Sequence, residues 1–440
     1  MEGLLTIVFF AVGLDSHRWG ETRNTGENGH RLIRMIGVCM QDRRTFLNEM
    51  CLVPATAMLT LNSCMMPKST SKRDYFKEIG VKPFINAAAA YSALGGRNMF
   101  PEVIAAMEYA RKRNVIMEEL QDAVGKRIAS LLGYEAALVS SGATSAMTLG
   151  TAACITGDDE NLISRVPDLR EMKNEVIIQK AHRYSYDHGV RNAGIRYVEV
   201  ETVEDVRRAV NQKTAMLFSC FLMEEKGKIK LREWAALGKK YGIPTMIDGS
   251  NTVPPMERFA LYRDAGFDLA AFSGGKGLRG PYSAGMLLGR KDLIRAARMS
   301  NSPNSDTVGR GMKVSKEEVL GMMVAVEVAL RYDYASEKDR ETRLVNLISG
   351  RLKIIPGIQT QVVYPNTEGG RPHLRLRWDT SVLKLSPAEA QKQLVTGDPS
   401  VRTCYLGLSD GELEIGTAML KENEIDALIG RLQEVLAKDA

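Results

Sequence analysis

The chain has little from which to build a metal centre or a disulfide framework. Its six cysteines (39, 51, 64, 154, 220, 404) form no Cys-x-x-Cys pair and no zinc spacing. The five histidines include no His-Glu-x-x-His, so no metal site is expected. A nucleotide P-loop is missing too: Ala270 stands where Gly-x-x-x-x-Gly-Lys needs glycine, and Gly277 where Ser or Thr is required. No block of Lys and Arg marks a nucleic-acid tail. The first 64 residues balance six basic against six acidic groups, so the net charge of +6 belongs to the remainder. That mild excess suits a small anionic substrate, and no nucleic-acid partner is expected. With 44% hydrophobic and 25% charged residues, the composition is that of an ordinary globular protein. Its 440 residues can bury a large core and divide into a big and a small domain.

What is present centres on residues 270–287, where Lys276 sits between glycines in a run otherwise small or apolar. Small neighbours leave room for something bulky against the amine, and apolar flanks disfavour an ammonium ion. A neutral amine is what a Schiff-base lysine requires. A glycine-rich turn with an exposed lysine would read the same way on its own. Upstream, Ile243–Ile247 reads as a buried strand ending at Asp248, and ligands of open α/β sheets bind outside such carboxyl ends. A carboxylate there can keep a pyridine nitrogen protonated, which makes pyridoxal phosphate an electron sink. Ser250 and Asn251 follow and could orient it. Ser141-Gly142-Ala143-Thr144 forms a strand-to-helix junction, where unpaired N–H groups and the helix dipole favour a phosphate. Ser or Thr at such a junction is also an ordinary N-cap. Ser273, three residues before the lysine, is a further candidate phosphate ligand.

Together these pieces resemble the pyridoxal-phosphate enzymes of fold type I, in the branch of selenocysteine synthase (L-seryl-tRNA(Sec) selenium transferase). Within it they are most similar to D-glucosaminate-6-phosphate ammonia-lyase-like members. The resemblance runs from about 79 to 438 and is carried by Phe84-Ile-Asn-Ala-Ala, Leu94-Gly-Gly-Arg, Ser140-Ser-Gly-Ala-Thr-Ser-Ala, His182-Arg-Tyr-Ser-Tyr-Asp-His188, Ile247-Asp-Gly-Ser and Phe272-Ser-Gly-Gly-Lys-Gly-Leu-Arg-Gly-Pro. It implies pyridoxal 5′-phosphate, with Lys276 and Asp248 as catalytic residues. His182 would stack on the cofactor ring or touch substrate, with His188 a weaker candidate. It also implies a homodimer or larger with the site between subunits, residues 84–98 reaching the neighbour. Arg279 is a candidate for the cofactor phosphate or an anionic substrate group, since its fork matches such oxyanions. Arg97 and either Arg375 or Arg377 are alternatives for a substrate carboxylate, the last two on one strand face. The implied reaction is α,β-elimination on an amino acid or amino-sugar acid. Selenium transfer, racemase, aldolase and transaminase chemistry share the same lysine and aspartate. A non-catalytic ligand-binding protein on the same scaffold is the alternative from another class.

The expected fold is α/β. Strands alternate with helices from Ala136 to Arg290, which predicts a mainly parallel sheet covered on both faces. The expected organisation is an N-terminal extension at 1–68, an arm at 69–100, a large cofactor-binding domain at 101–290 and a small α+β domain at 291–440. The extension resembles a twin-arginine export signal over 35–64: Arg43-Arg44, Phe46-Leu47, then the uncharged run Met50–Leu61. Twelve residues with Pro54 are too few to span a bilayer but suit a signal core. Leu61-Asn-Ser-Cys64 resembles a lipoprotein box, with Asn62 a departure, so a lipid anchor at Cys64 and a periplasmic or membrane-anchored location are expected, the cytoplasm being the alternative.

Overall fold

The computed structural model describes residues 73–365, 370–405 and 411–437. The arginine pair, Cys64 and the rest of the 1–68 extension lie outside the described residues. The described residues up to Ile79 belong to a unit of their own, in which the helical turn Tyr75–Glu78 is capped by Asp74 accepting from the Lys77 N–H at 3.0 Å. Residues 80–440 form the other unit, which carries the cofactor-site candidates.

The described strands of that unit are, in chain order, β1 (Phe84–Ala87), β2 (Ala136–Ser140), β3 (Glu175–Gln179), β4 (Arg196–Val200), β5 (Thr214–Cys220), β6 (Thr245–Asp248), β7 (Leu269–Ser273), β8 (Gly285–Gly289), β9 (Ile358–Val363), β10 (His373–Trp378), β11 (Ser400–Thr403) and β12 (Leu413–Gly416). A seven-stranded sheet runs β2-β8-β7-β6-β5-β3-β4. The five strands from β7 to β4 are parallel, and β8 is antiparallel to both its neighbours. Alternate residues feed two apolar layers. Ile177, Leu217, Ile247 and Ala270 join Trp234, Phe259 and Tyr262 on one face. Ile178, Phe218, Met246 and Leu269 join Met147 and Leu149 on the other. Burial on both faces is why these strands read as nearly continuous apolar runs.

The connecting helices of the 291–440 part lie against the large sheet. Helix Lys291–Met299 packs Leu293, Ile294 and Ala297 into one layer, and helix Lys316–Arg331 packs Val319, Met322 and Val326 into the other. The apolar spacing predicts one helix over 315–352. It is broken after Arg331, because Asp333 accepts the Ser336 N–H at 2.9 Å and caps a new helix, Tyr334–Leu352. That helix, the antiparallel sheet β12-β10-β9 and helix Ile425–Leu436 share a third core. From Gly80 on, the arm belongs to this core: Ile85 and Ala87 are buried in it, and β1 pairs in parallel with β11. No helix among the described residues is long and apolar enough to cross a membrane.

Candidate active site

Lys276 sits in a loop leaving β7, and the loop is closed by its own backbone. The Gly274 N–H donates to Ala284 O at 2.8 Å, Gly280 N–H to Gly274 O at 2.9 Å, and Arg279 N–H to Lys276 O at 3.0 Å. The flanking glycines are sterically required. A Cβ on Gly277 would lie 2.0 Å from Val253 O, and one on Gly275 2.6 Å from Tyr282 Cα. The arm is pinned to this loop by the Arg97 N–H donating to Gly275 O at 2.9 Å.

Asp248 ends β6 at the middle of the sheet and is buried. Its Oδ1 accepts the Ser250 N–H at 2.8 Å, and its Oδ2 accepts the Tyr184 hydroxyl. Burial and the Asp248 charge push the Tyr184 phenol far up, so it stays a donor and fixes the carboxylate. Burial first, and Asp248 second, push the neighbouring Cys220 thiol up to about 12, which makes it inert at neutral pH.

Lys276 and Asp248 open onto an inner cavity of about 290 Å³ with Ser141, Gly142, Ala143, Thr144, Ser250, Ser273 and Ser283 in its wall. Helix Gly142–Thr156 starts there, and its N-cap Ser141 makes no side-chain capping bond. The first N–H groups of a 15-residue helix therefore lack a side-chain cap at the end where the dipole favours an anion. A phosphate cradle, an amine and a strand-end carboxylate in one cavity fit pyridoxal 5′-phosphate. An outer cavity of about 500 Å³ shares Ala90, Ser92, Tyr186, Asp248, Ser250 and Lys276 with the inner one. Asn251 and Arg375 line it.

Five candidates lie elsewhere. His182 is fully buried, with Nδ1 3.1 Å from Ser219 Oγ and accepting the Cys220 N–H at 3.3 Å, and it lines neither cavity. The short 3-10 turn Lys180–His182 aims it into the sheet end, and Tyr184 and Tyr186 reach the cavity instead. Arg279 has φ +50° and turns away: its Nε donates to Asn98 O at 3.1 Å and its guanidinium lies 4.2 Å from the Phe100 ring. Arg97 is buried against Glu337 at 3.1 Å. Arg377 shares a strand face with Arg375 but pairs with Glu412 at 2.9 Å, outside both cavities. His188 is exposed beside Arg191.

Sequence spacing gave no hint of a third grouping. His373, Cys404 and Glu414 bring their ligand-type atoms within 4.8 Å of one another. His373 Nδ1 is 2.8 Å from Glu414 Oε1, and Arg375 occupies Oε2 at 2.8 and 3.0 Å. The carboxylate's charge is thus already answered by a guanidinium.

The buried His182 yields a pH prediction. Burial, with the Lys230 charge adding, pushes its imidazole down to about 4. The unfolded chain takes up that proton near pH 6.5, so the contribution is complete above 6.5 and lost as pH falls towards 4. About 3 kcal/mol is at stake over that window. Urea unfolding at pH 7 and 4.5 should show a smaller loss for His182→Gln than for the native chain; equal losses would discard the argument.

The L-seryl-tRNA selenium transferase family model matches residues 102–361. The chain belongs to this family. Among its relatives, a 5′-C-glycyluridine monooxygenase-decarboxylase from Streptomyces sp is 30% identical over 378 residues, covering 82% of this chain and 92% of that one. The D-glucosaminate-6-phosphate ammonia lyase of Salmonella typhimurium is 25% identical, covering 82% and 97%. The solved structure of a D-glucosaminate-6-phosphate ammonia-lyase superposes with a TM-score of 0.74 at 22% identity, covering 84% of this chain and 99% of that one. A pyridoxal-phosphate-bound serine palmitoyltransferase from S. paucimobilis reaches 0.50 at 16% identity, covering 80% and 87%. The fold is fold type I of the pyridoxal-phosphate enzymes, and the chain is an enzyme of the selenium transferase family.

Proposed function

We propose that this enzyme uses pyridoxal 5′-phosphate to act on an amino acid or amino-sugar acid, by α,β-elimination with release of ammonia. The observation that carries the reading is one cavity holding Lys276, Asp248 and the start of helix Gly142–Thr156. The cofactor supplies an aldehyde for the substrate amine and a ring that takes up the electron pair left at the α-carbon. Ser141, Thr144, Ser273 and the helix N-terminus bind its phosphate. Asp248, oriented by Tyr184 and the Ser250 N–H, holds a proton on the ring nitrogen. Lys276 Nζ takes the α-proton, and Arg375 receives the substrate carboxylate. Loss of a group from the β-carbon, then addition of water, yields a keto acid and ammonia.

A second reading, loss of the carboxyl group in place of the α-proton, is favoured by the identity with the Streptomyces decarboxylase. Ammonia against carbon dioxide among the products separates the two. The purified protein should gain a visible band with pyridoxal phosphate, and borohydride should fix the label on the Lys276 peptide. A protein that stays colourless would pass the site to the non-catalytic reading. A homodimer or larger assembly is part of the proposal, read by light scattering. So is export by the twin-arginine route with acylation of Cys64; an intact mass retaining residues 1–34 would rule that processing out.

A further inference from the structure

The outer cavity is walled by four tyrosines. Tyr91 and Tyr405 meet edge to face with centroids 4.6 Å apart, and Tyr184 and Tyr186 lie 6.2 Å apart. Tyr186 and Tyr405 face the cavity, 57% and 45% exposed, whereas Tyr184 packs against the sheet core with its hydroxyl on Asp248. Paired rings at a cavity mouth offer faces and edges to another ring, with hydroxyls to orient it. Leu222 and Pro365 complete an apolar wall.

Charge in the same wall is sparse. Among the described lining residues the cationic side chains are Lys276, Arg375 and, when protonated, His373, against Asp248 and Glu414. Glu414 holds both Arg375 and His373. A terminal phosphate calls for a further guanidinium, ammonium or helix N-terminus. The N-terminus of helix Gly142–Thr156 opens on the inner cavity, where the cofactor's own phosphate is assigned.

We infer that the substrate is an amino acid whose side chain ends in an uncharged planar ring, of aromatic or nucleobase type, and carries no terminal phosphate. The inference rests on the pyridoxal-phosphate reading of the same site and narrows it away from phosphorylated amino-sugar acids.

Calorimetric titration of the full-length protein tests it with four probes: tryptophan of either hand, indole-3-propionate, alanine and D-glucosaminate 6-phosphate. One hand of tryptophan should bind about tenfold or more tighter than alanine and than the phosphorylated acid. Tyr405→Ala should weaken tryptophan and indole-3-propionate by about 3- to 10-fold, with little change for alanine, and Tyr405→Phe should restore both. Tighter binding of D-glucosaminate 6-phosphate than of tryptophan would overturn the inference, as would equal weakening of alanine by Tyr405→Ala. Indole-3-propionate has no amine, so its binding reads the tyrosine wall even in a protein that takes up no cofactor. Colour on adding pyridoxal phosphate reads the cofactor independently, and the two failures are therefore distinct.

Discussion

Lys276→Ala is expected to lower turnover by about 10³-fold or more and to remove the visible band that borohydride fixes in the native protein. Among the described residues lining either cavity, Lys276 is the one lysine, so no neighbouring amine stands ready to replace it. General-base catalysis alone is worth roughly 10²- to 10⁴-fold, and the covalent anchoring of the cofactor is lost with it. Folding should survive, because the loop is held by backbone bonds between Gly274, Gly280 and Ala284 that do not involve the side chain. The checks are single-turnover kinetics, the visible spectrum and circular dichroism on the same samples. A folded Lys276→Ala protein with full turnover would refute the proposed chemistry.

The largest effect on stability is expected at Glu337. Its carboxylate, almost fully buried, meets Arg97 at 3.1 Å, Arg371 at 2.6 Å, Arg279 at 3.6 Å and the Tyr332 hydroxyl at 3.2 Å. Burial pushes this carboxyl up, but Arg97 and Arg371 outweigh it and hold the group below its ordinary range. Glu341, deeper still and bonded to Arg371, is instead pushed up by burial. Removing Glu337 leaves three guanidinium groups beside one acid. Breaking such a buried arrangement costs about 3–5 kcal/mol, against about 1 kcal/mol for an exposed pair. Glu337→Ala should therefore shift the urea midpoint far below that of a surface control such as Glu204→Ala. A difference under about 1 kcal/mol would show that burial does not set the value of this cluster. The depressed carboxyl fixes the sign with pH: its contribution stands above the ordinary glutamate range and is lost as pH falls through the lower folded value.

The same cluster explains which residues could be read from the sequence. Lys276, Asp248 and Ser141–Thr144 announce themselves because each sits at the end of a buried strand, where chain direction alone points a side chain towards ligand. Arginines carry no such direction. Arg97 and Arg279 look like anion readers in the sequence, yet both turn to Glu337, more than 50 residues from either in the chain. His182 and Tyr184 are two residues apart, His182 closing the 3-10 turn Lys180–His182 and Tyr184 lying in extended backbone just beyond it. Local spacing cannot decide between them; the buried Ser219 and the Asp248 carboxylate do. The parallel sheet was legible through its apolar runs. The break before Tyr334 was not, because apolar spacing continues through it and a single aspartate cap outweighs that pattern.

The pairing of β1 with β11 also bears on the order of synthesis. Phe84 lies opposite Ser400, so the arm's strand partner leaves the ribosome some 316 residues later (400 − 84). Ala90, Ser92 and Gly96, which close the inner cavity, hang from that strand. The large sheet can form while translation continues, but the wall over Lys276 can seat only when the polypeptide is nearly complete. A nascent chain stalled before β11 should therefore leave Lys276 more exposed to acylating reagents than it is in the finished protein.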